Sequence, residues 1–187
     1  IYLDGDEIGS LLAQLPTAAV YTSLSDALYK VTRQAVMRAL ADWLSPAEVR
    51  ASEARMQVGE QIAAGEPVQI HPFEIITIGG DDVVLIVPAH AALPVAAAIA
   101  EGFTEHMQSK WKQIVAGAPE QSRQMLEGRS FTMSGGVVIA DDHNPIRVLY
   151  DLALELKRTA KRSRRGDEAG IGYIDFQILK SADMLAS

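Results

Sequence analysis

Phe73-Glu74-Ile75-Ile76-Thr77-Ile78-Gly79-Gly80-Asp81-Asp82-Val83-Val84-Leu85-Ile86-Val87 is the stretch that decides the fold. Two runs rich in β-branched residues, Phe73 to Ile78 and Val83 to Val87, are separated by two glycines and two aspartates. Such runs favour strands, and a Gly-rich interruption this short folds them back as an antiparallel hairpin. Upstream, Leu28, Val31, Thr32, Ala35, Val36, Ala39, Leu40 and Trp43 recur at spacings of three and four. That spacing predicts an amphipathic helix, capped by Ser25 or Asp26 and ending before Pro46. A second, weaker helix is expected from Pro46 to Ala64, stopped by Gly65-Glu66-Pro67.

Downstream of the hairpin, Pro94 to about Ile114 reads as a helix and Gly117 to Gly128 as a polar connection. Phe131 to Ala140 reads as a strand broken at Gly135-Gly136. A helix from Ile146 to about Ser163 turns Leu149, Leu152, Ala153, Leu156 and Ala160 inward, and Ile171 to Leu179 closes the chain as a strand. Ile1 to Leu3 reads as the end of a buried strand. The order β-α-(α)-β-β-α-β-α-β contains the split β-α-β arrangement of ferredoxin-like folds. The expected class is α+β, with a βαββαβ core, an antiparallel sheet and helices on one face. One domain spanning 1–187 is expected. Strands usually run about 5–6 residues, yet three residues precede Asp4. The first strand is therefore expected to begin upstream of Ile1, in a longer protein.

Composition narrows the function. Apolar residues make up 48% of the chain, enough for a sizeable core. The net charge of −7 argues against non-specific nucleic-acid binding by the whole surface. The absence of cysteine removes disulfides and zinc–thiolate sites and suits a reducing, cytoplasmic location. The longest apolar stretch, Val83 to Phe103, contains Pro88, His90, Pro94 and Glu101, so no membrane span is expected.

Two acidic clusters carry the chemistry: Asp4-Gly5-Asp6 at a strand end and Asp81-Asp82 at the hairpin tip. In a split β-α-β sheet the first strand lies beside the hairpin, so these clusters meet at one edge. Carboxylates crowded together resist ionising, and a hard dication relieves them. Mg²⁺ accepts such ligands while keeping room for water and phosphate. Two such ions, about 3.5–4 Å apart, activate an attacking hydroxyl and neutralise a departing pyrophosphate. Gly-Gly-Asp-Asp alone is also an ordinary turn; its pairing with a strand-terminal Asp-x-Asp favours the site. Six of the 17 basic residues, Lys157, Arg158, Lys161, Arg162, Arg164 and Arg165, fall within nine positions. Lys157 and Lys161 share a helix face and suit a triphosphate. Arg164 and Arg165 are expected to be structural or partner-facing. Ser134-Gly135-Gly136 either lets a strand pass close to a nucleotide or marks a bulge.

His71-Pro72-Phe73-Glu74-Ile75-Ile76 leading into Gly79-Gly80-Asp81-Asp82 resembles the GGDD palm of the CRISPR polymerases. So do, in the same order, Ser134-Gly135-Gly136-Val137-Val138-Ile139-Ala140, Leu156-Lys157-Arg158-Thr159-Ala160-Lys161 and Ile174-Asp175-Phe176. That family comprises the large catalytic subunits of type III CRISPR effector complexes and minimal single-palm relatives. Its palm is similar to GGDEF diguanylate cyclases and class III adenylyl cyclases. The resemblance implies synthesis of cyclic oligoadenylate or cyclic dinucleotide messengers from ATP, in antiviral defence, with two Mg²⁺ or Mn²⁺ ions. It implies Asp4, Asp81 and Asp82 as catalytic metal ligands, assisted by the Gly5 carbonyl. Asp6, Gly79, Gly80, Ser134, Lys157 and Lys161 are the candidate nucleotide-binding residues, with Lys161 first among the lysines because the resembling families place a phosphate-contacting lysine at its position. The implied partners are ATP, a second copy or second palm, and CRISPR effector subunits with RNA. Two departures from the large-subunit pattern stand out: the chain holds no His-Asp dipeptide, the mark of the attached nuclease domain, and shows a single palm. A non-catalytic nucleotide-binding or scaffold palm is the alternative. A diguanylate or adenylyl cyclase is a further one, and the missing Glu-Phe after the hairpin aspartates speaks against a GGDEF enzyme.

Overall fold

The computed structural model describes residues 1–50, 55–57, 60–62, 65–163 and 170–180; Arg164 and Arg165 lie outside them. The chain runs β1 (Tyr2–Gly5), α1 (Ile8–Ala13), α2 (Ala18–Trp43), β2 (Ala47–Arg50), β3 (Arg55–Gln57), β4 (Glu60–Ile62) and β5 (Pro67–Ile70). It continues through β6 (Glu74–Gly79), β7 (Asp82–Ile86), α3 (Ala92–Gly117), α4 (Glu120–Leu126), β8 (Met133–Ile139), α5 (Ile146–Ser163) and β9 (Ile174–Ile178). The main sheet has the order β6-β7-β1-β8-β9. Its first four strands are antiparallel, and β9 joins β8 in parallel. This is an α+β fold with the ferredoxin-like strand order, extended by the β8–α5–β9 crossover.

Strand alternation sorts the side chains into two layers. Leu3, Val83, Leu85, Met133 and Val137 are buried on one face against α2 and α3, where Leu24, Val36, Ile99, Phe103 and Met107 complete the core. Each large side chain buried in full contributes about 1.5–3 kcal/mol. The ferredoxin-like core keeps α2 and α3 on one face. The helices are not confined to that face as the sequence predicts, because the other face is covered by α5. There Tyr2 stacks on Tyr150 with ring centroids 5.5 Å apart. Gly136 lies directly under α5: a Cβ on it would come within 2.2 Å of the Ala153 carbonyl oxygen and 2.7 Å of the Lys157 nitrogen. The glycine pair therefore does not break the strand. β8 runs unbroken from Met133 to Ile139, and the missing side chain at 136 admits a helix.

Three further expectations need correction. Where the expected weaker helix from Pro46 to Ala64 falls on described residues, it is replaced by strands; 51–54, 58–59 and 63–64 lie outside them. β2 pairs antiparallel with β5, Val49 opposite Val68, and β3 pairs with β4. Cross-strand pairing beyond the reach of local periodicity overrides the helix-forming Ala, Glu and Arg of this stretch. The long helix α2 begins at Ala18, not near Ser25, because Thr17 caps it by accepting from the Val20 N–H at 3.3 Å. The polar connection contains α4, which Pro119 and Glu120 open. The buried Leu126 anchors it, and its carbonyl accepts from Trp111 Nε1 at 3.0 Å.

Candidate active site

Register brings the two acidic clusters together. Asp4 on β1 lies opposite Asp82 on β7 and opposite Ser134 on β8. The Gly5 N–H donates to the Asp81 carbonyl at 3.2 Å. The β6–β7 connection is two residues long, Gly80 and Asp81, between the paired Gly79 and Asp82. Gly80 takes φ 59°, which glycine adopts without a Cβ clash. Gly5 is bare for a different reason. A Cβ there would sit 2.8 Å from Asp81 Cβ and 2.9 Å from its Oδ2, so the Asp81 side chain lies against the β1 backbone.

Two ammonium groups from α5 reach into this cluster. Lys157 Nζ lies 3.6 Å from Asp4 Oδ1 and 3.8 Å from Asp82 Oδ1. The same nitrogen sits 3.9 Å above the centre of the Tyr2 ring, a cation–π contact. Lys161 Nζ pairs with Asp4 Oδ2 and donates to the Gly5 carbonyl at 2.8 Å. The two lysines are one helical turn apart on one face of α5.

Burial sets the electrostatics. Lys157 is 9% exposed, and desolvation pulls its pKa below the usual lysine value while Asp82 opposes that shift. Desolvation pushes the Asp81 carboxyl above its usual value, and the neighbouring Asp82 charge adds to it. Tyr2 is pushed up to about 12, first by burial and then by the Tyr150 hydrogen bond. Asp82 Oδ1 is buried without a hydrogen bond. The oxygens along this edge are hard donors, three carboxylates and one carbonyl, but Asp4, Asp81 and Asp82 do not each bring an oxygen within 4.8 Å of the other two. A dication of the Mg²⁺ or Mn²⁺ type would suit donors of this kind, would satisfy the orphaned Asp82 oxygen and would favour the ionised Asp81. Among the described residues, the one group of three acidic or imidazole side chains with ligand atoms within 4.8 Å of one another lies elsewhere, at Asp141, Asp142 and His143. That group occupies an exposed turn before α5, where His143 Nδ1 contacts Asp141 and Asp142 at 2.6 and 2.8 Å. At the β1–β7 edge the lysines sit among the carboxylates.

The family model of Cas10/Cmr2, second palm domain, matches residues 1–169. The chain belongs to the Cas10/Cmr2 second palm family. It is a CRISPR effector palm domain, of a family related to nucleotidyl transfer. No curated protein sequence matches it. Among the described residues of this Cas10/Cmr2 palm, no helix is long and apolar enough to cross a membrane.

Asp6 and Ser134, expected among the nucleotide-binding residues, are placed inside the palm. Asp6 is 5% exposed, and its Oδ2 accepts from Thr132 Oγ1 at 2.7 Å and Ser134 Oγ at 2.9 Å. Ser134 Oγ in turn accepts from the Tyr173 N–H at 3.1 Å. These bonds tie the end of β1 to β8 and to the chain entering β9. Gly79 is paired within the hairpin, and Gly80 has no heavy atom within 4 Å of where a Cβ would stand. Sequence reading missed Tyr2 and Thr132. Tyr2 stands two residues before Asp4 on the same strand face, a period-2 signal that was available. Thr132 carries no motif. Behind Tyr2 a mostly apolar cavity of about 140 Å³ opens between Val84, Val138 and the first turns of α5. It holds none of the charged side chains of the acidic edge.

Proposed function

We propose that this palm is a metal-dependent nucleotidyltransferase that joins or cyclises nucleotides derived from ATP. Its products would be cyclic oligoadenylate or cyclic dinucleotide messengers in CRISPR-type antiviral defence. The observation that supports the reading is the register of Asp4 against Asp82, with Gly5 bonded to Asp81, which sets the three aspartates side by side along one sheet edge. Asp4, Asp81, Asp82 and the Gly5 carbonyl would hold Mg²⁺ or Mn²⁺. Bound there, two such ions supply an acidified attacking hydroxyl and charge neutralisation at the α-phosphate and the leaving pyrophosphate. The hydroxyl oxygen of one nucleotide would bond to the α-phosphorus of ATP and give up its proton to solvent, while the bond from the α-phosphorus to the α–β bridging oxygen breaks and pyrophosphate departs with its electron pair.

The chain's own groups position that exchange. Lys161 and Lys157 would turn from the carboxylates to the β- and γ-phosphates and offset the charge that develops there. The open side of Gly80 leaves the backbone accessible to substrate. The Asp6–Thr132–Ser134 bonds hold the end of β1, and with it Asp4, in place. Intermolecular joining needs two nucleotides face to face, so a second copy of the chain or a second palm, within a set of effector subunits and RNA, is part of the proposal.

Incubation with Mg²⁺ or Mn²⁺ and radiolabelled ATP tests it. A cyclic or linear oligoadenylate is expected, lost on Asp81→Ala with Asp82→Ala. No product from folded protein, or a product unchanged in that double variant, overturns the reading. One observation favours a scaffold palm instead: the lysines already neutralise the carboxylates internally. Calorimetric binding of ATP without pyrophosphate release would mark that case.

A further inference from the structure

Four of the oxygens that a dication would take at the acidic edge already face an ammonium group: both oxygens of Asp4, the Gly5 carbonyl and Asp82 Oδ1. Asp4 Oδ1 faces Lys157 at 3.6 Å, Asp4 Oδ2 pairs with Lys161, and the Gly5 carbonyl accepts from Lys161 at 2.8 Å. The buried Asp82 Oδ1 has Lys157 at 3.8 Å. The helix that carries both lysines cannot drift away easily, because its backbone rests on Gly136. Their four-carbon stems can swing. We infer that Lys157 and Lys161 are placeholder cations, which keep the site closed to a dication until a polyphosphate arrives to receive them. The inference rests on the metal-site reading above and deepens it: metal and nucleotide bind this palm cooperatively.

The argument is one of charge and partners. Three carboxylates and two ammonium groups leave the edge with a net charge near −1. A dication entering alone meets two ammonium groups at the oxygens it needs. Displacing them breaks their ion pairs and leaves the largely buried Lys157 with no counter-ion, an unfavourable state for a desolvated charge. A triphosphate changes the balance, because its oxygens accept both lysines as they leave the aspartates. By linkage the effect is reciprocal: without metal, the lysines stay with Asp4 and are withheld from the nucleotide. Couplings of this kind usually amount to about 5–150-fold in affinity.

The test is a Mn²⁺ titration of the full chain, followed by electron paramagnetic resonance, with and without α,β-methylene-ATP. A protein-free titration accounts for Mn²⁺ held by the nucleotide itself. In the unsubstituted chain the nucleotide is expected to tighten Mn²⁺ binding by about tenfold or more. Lys161→Met keeps the apolar stem and removes the charge. It is expected to bind Mn²⁺ alone more tightly than the parent chain and to lose most of the enhancement by nucleotide. Lys161→Gln gives the same readout if the methionine variant does not fold, and circular dichroism checks both. Mn²⁺ affinity that is unchanged or weakened in a folded Lys161 variant overturns the placeholder role. If Asp81→Ala with Asp82→Ala nevertheless abolishes Mn²⁺ binding in that experiment, the metal site stands and only the placeholder role fails. If the aspartate variants bind Mn²⁺ like the parent, both fail together.

Discussion

Gly136→Ala adds one methyl group at the point where α5 rests on the sheet. A Cβ at that position would stand 2.2 Å from the Ala153 carbonyl oxygen, 2.7 Å from Leu156 Cβ and 2.7 Å from the Lys157 nitrogen. Two of these three atoms belong to the helix backbone, so no change of rotamer relieves the overlap. Ordinary contact begins at 3.4 Å, and α5 must therefore lift by about 1.2 Å, the difference between 2.2 and 3.4 Å. Overpacking of this kind costs about 1–3 kcal/mol. In a domain of this size each kcal/mol lowers Tm by about 2–4 °C, so a fall of about 2–12 °C is expected by scanning calorimetry. Activity is expected to fall further than stability does. The displaced helix carries Lys157 and Lys161 away from the carboxylates, and a misplacement of about 1 Å near the reacting groups costs about 100-fold in rate. Initial rates with radiolabelled ATP, taken well below the melting transition, separate the two effects. Gly9→Ala is the control, since nothing lies within 4 Å of its added methyl group; it sits in α1 and is expected to be neutral or stabilising by up to about 1 kcal/mol. If Gly136→Ala melts within about 1 °C of the parent chain, α5 does not rest on β8 as described and the lysine geometry falls with it.

Two other substitutions probe the acidic edge. Asp81→Asn is expected to raise the Tm of the metal-free chain at pH 7–8 while abolishing turnover. Burial raises the folded-state pKa of Asp81 above its unfolded value. Its contribution to stability is therefore fully present below the ordinary carboxylate range and is lost as pH rises through the raised value. The advantage of asparagine should accordingly shrink toward zero as the pH is lowered to about 4, near the unfolded value, and an advantage that grows on acidification contradicts the assignment. Ser134→Ala removes the donor to Asp6 and the acceptor for the Tyr173 N–H. It is expected to destabilise by about 1–3 kcal/mol with little change in the KM for ATP. A raised KM at unchanged Tm would return Ser134 to the nucleotide site.

The hairpin was legible because its signal is local: two β-branched runs and a Gly-Gly-Asp-Asp interruption. The meeting of Asp4 with Asp82 was legible because a split β-α-β topology leaves the first strand no other neighbour on that side. The hold of Lys157 and Lys161 on Asp4 was not legible. It depends on how closely α5 approaches the sheet, which the glycine at 136 sets from another part of the chain. The stretch before the hairpin misled for a related reason. Ala47-Glu48-Val49-Arg50 carries good helix formers, and its partner Pro67–Ile70 lies far enough along the chain that no local period shows the pairing. In α2 the periodicity was right in register and short in extent. Val20 and Leu24 continue the buried stripe toward Thr17, whereas Trp43 ends 52% exposed.

The three carboxylates do not ride on equally stiff supports. Asp4 belongs to a strand bonded along both of its edges, to β7 and to β8. Asp81 belongs to a two-residue tip whose other member, Gly80, has open space around it. Asp81 is tied to β1 by one backbone bond, from the Gly5 N–H, so an adjustment of ligand distances would fall on the tip before the central strand. In a palm that holds a dication there, the freedom of that tip, more than the positions of the charges at rest, would set how wide a range of ionic radii the edge accepts.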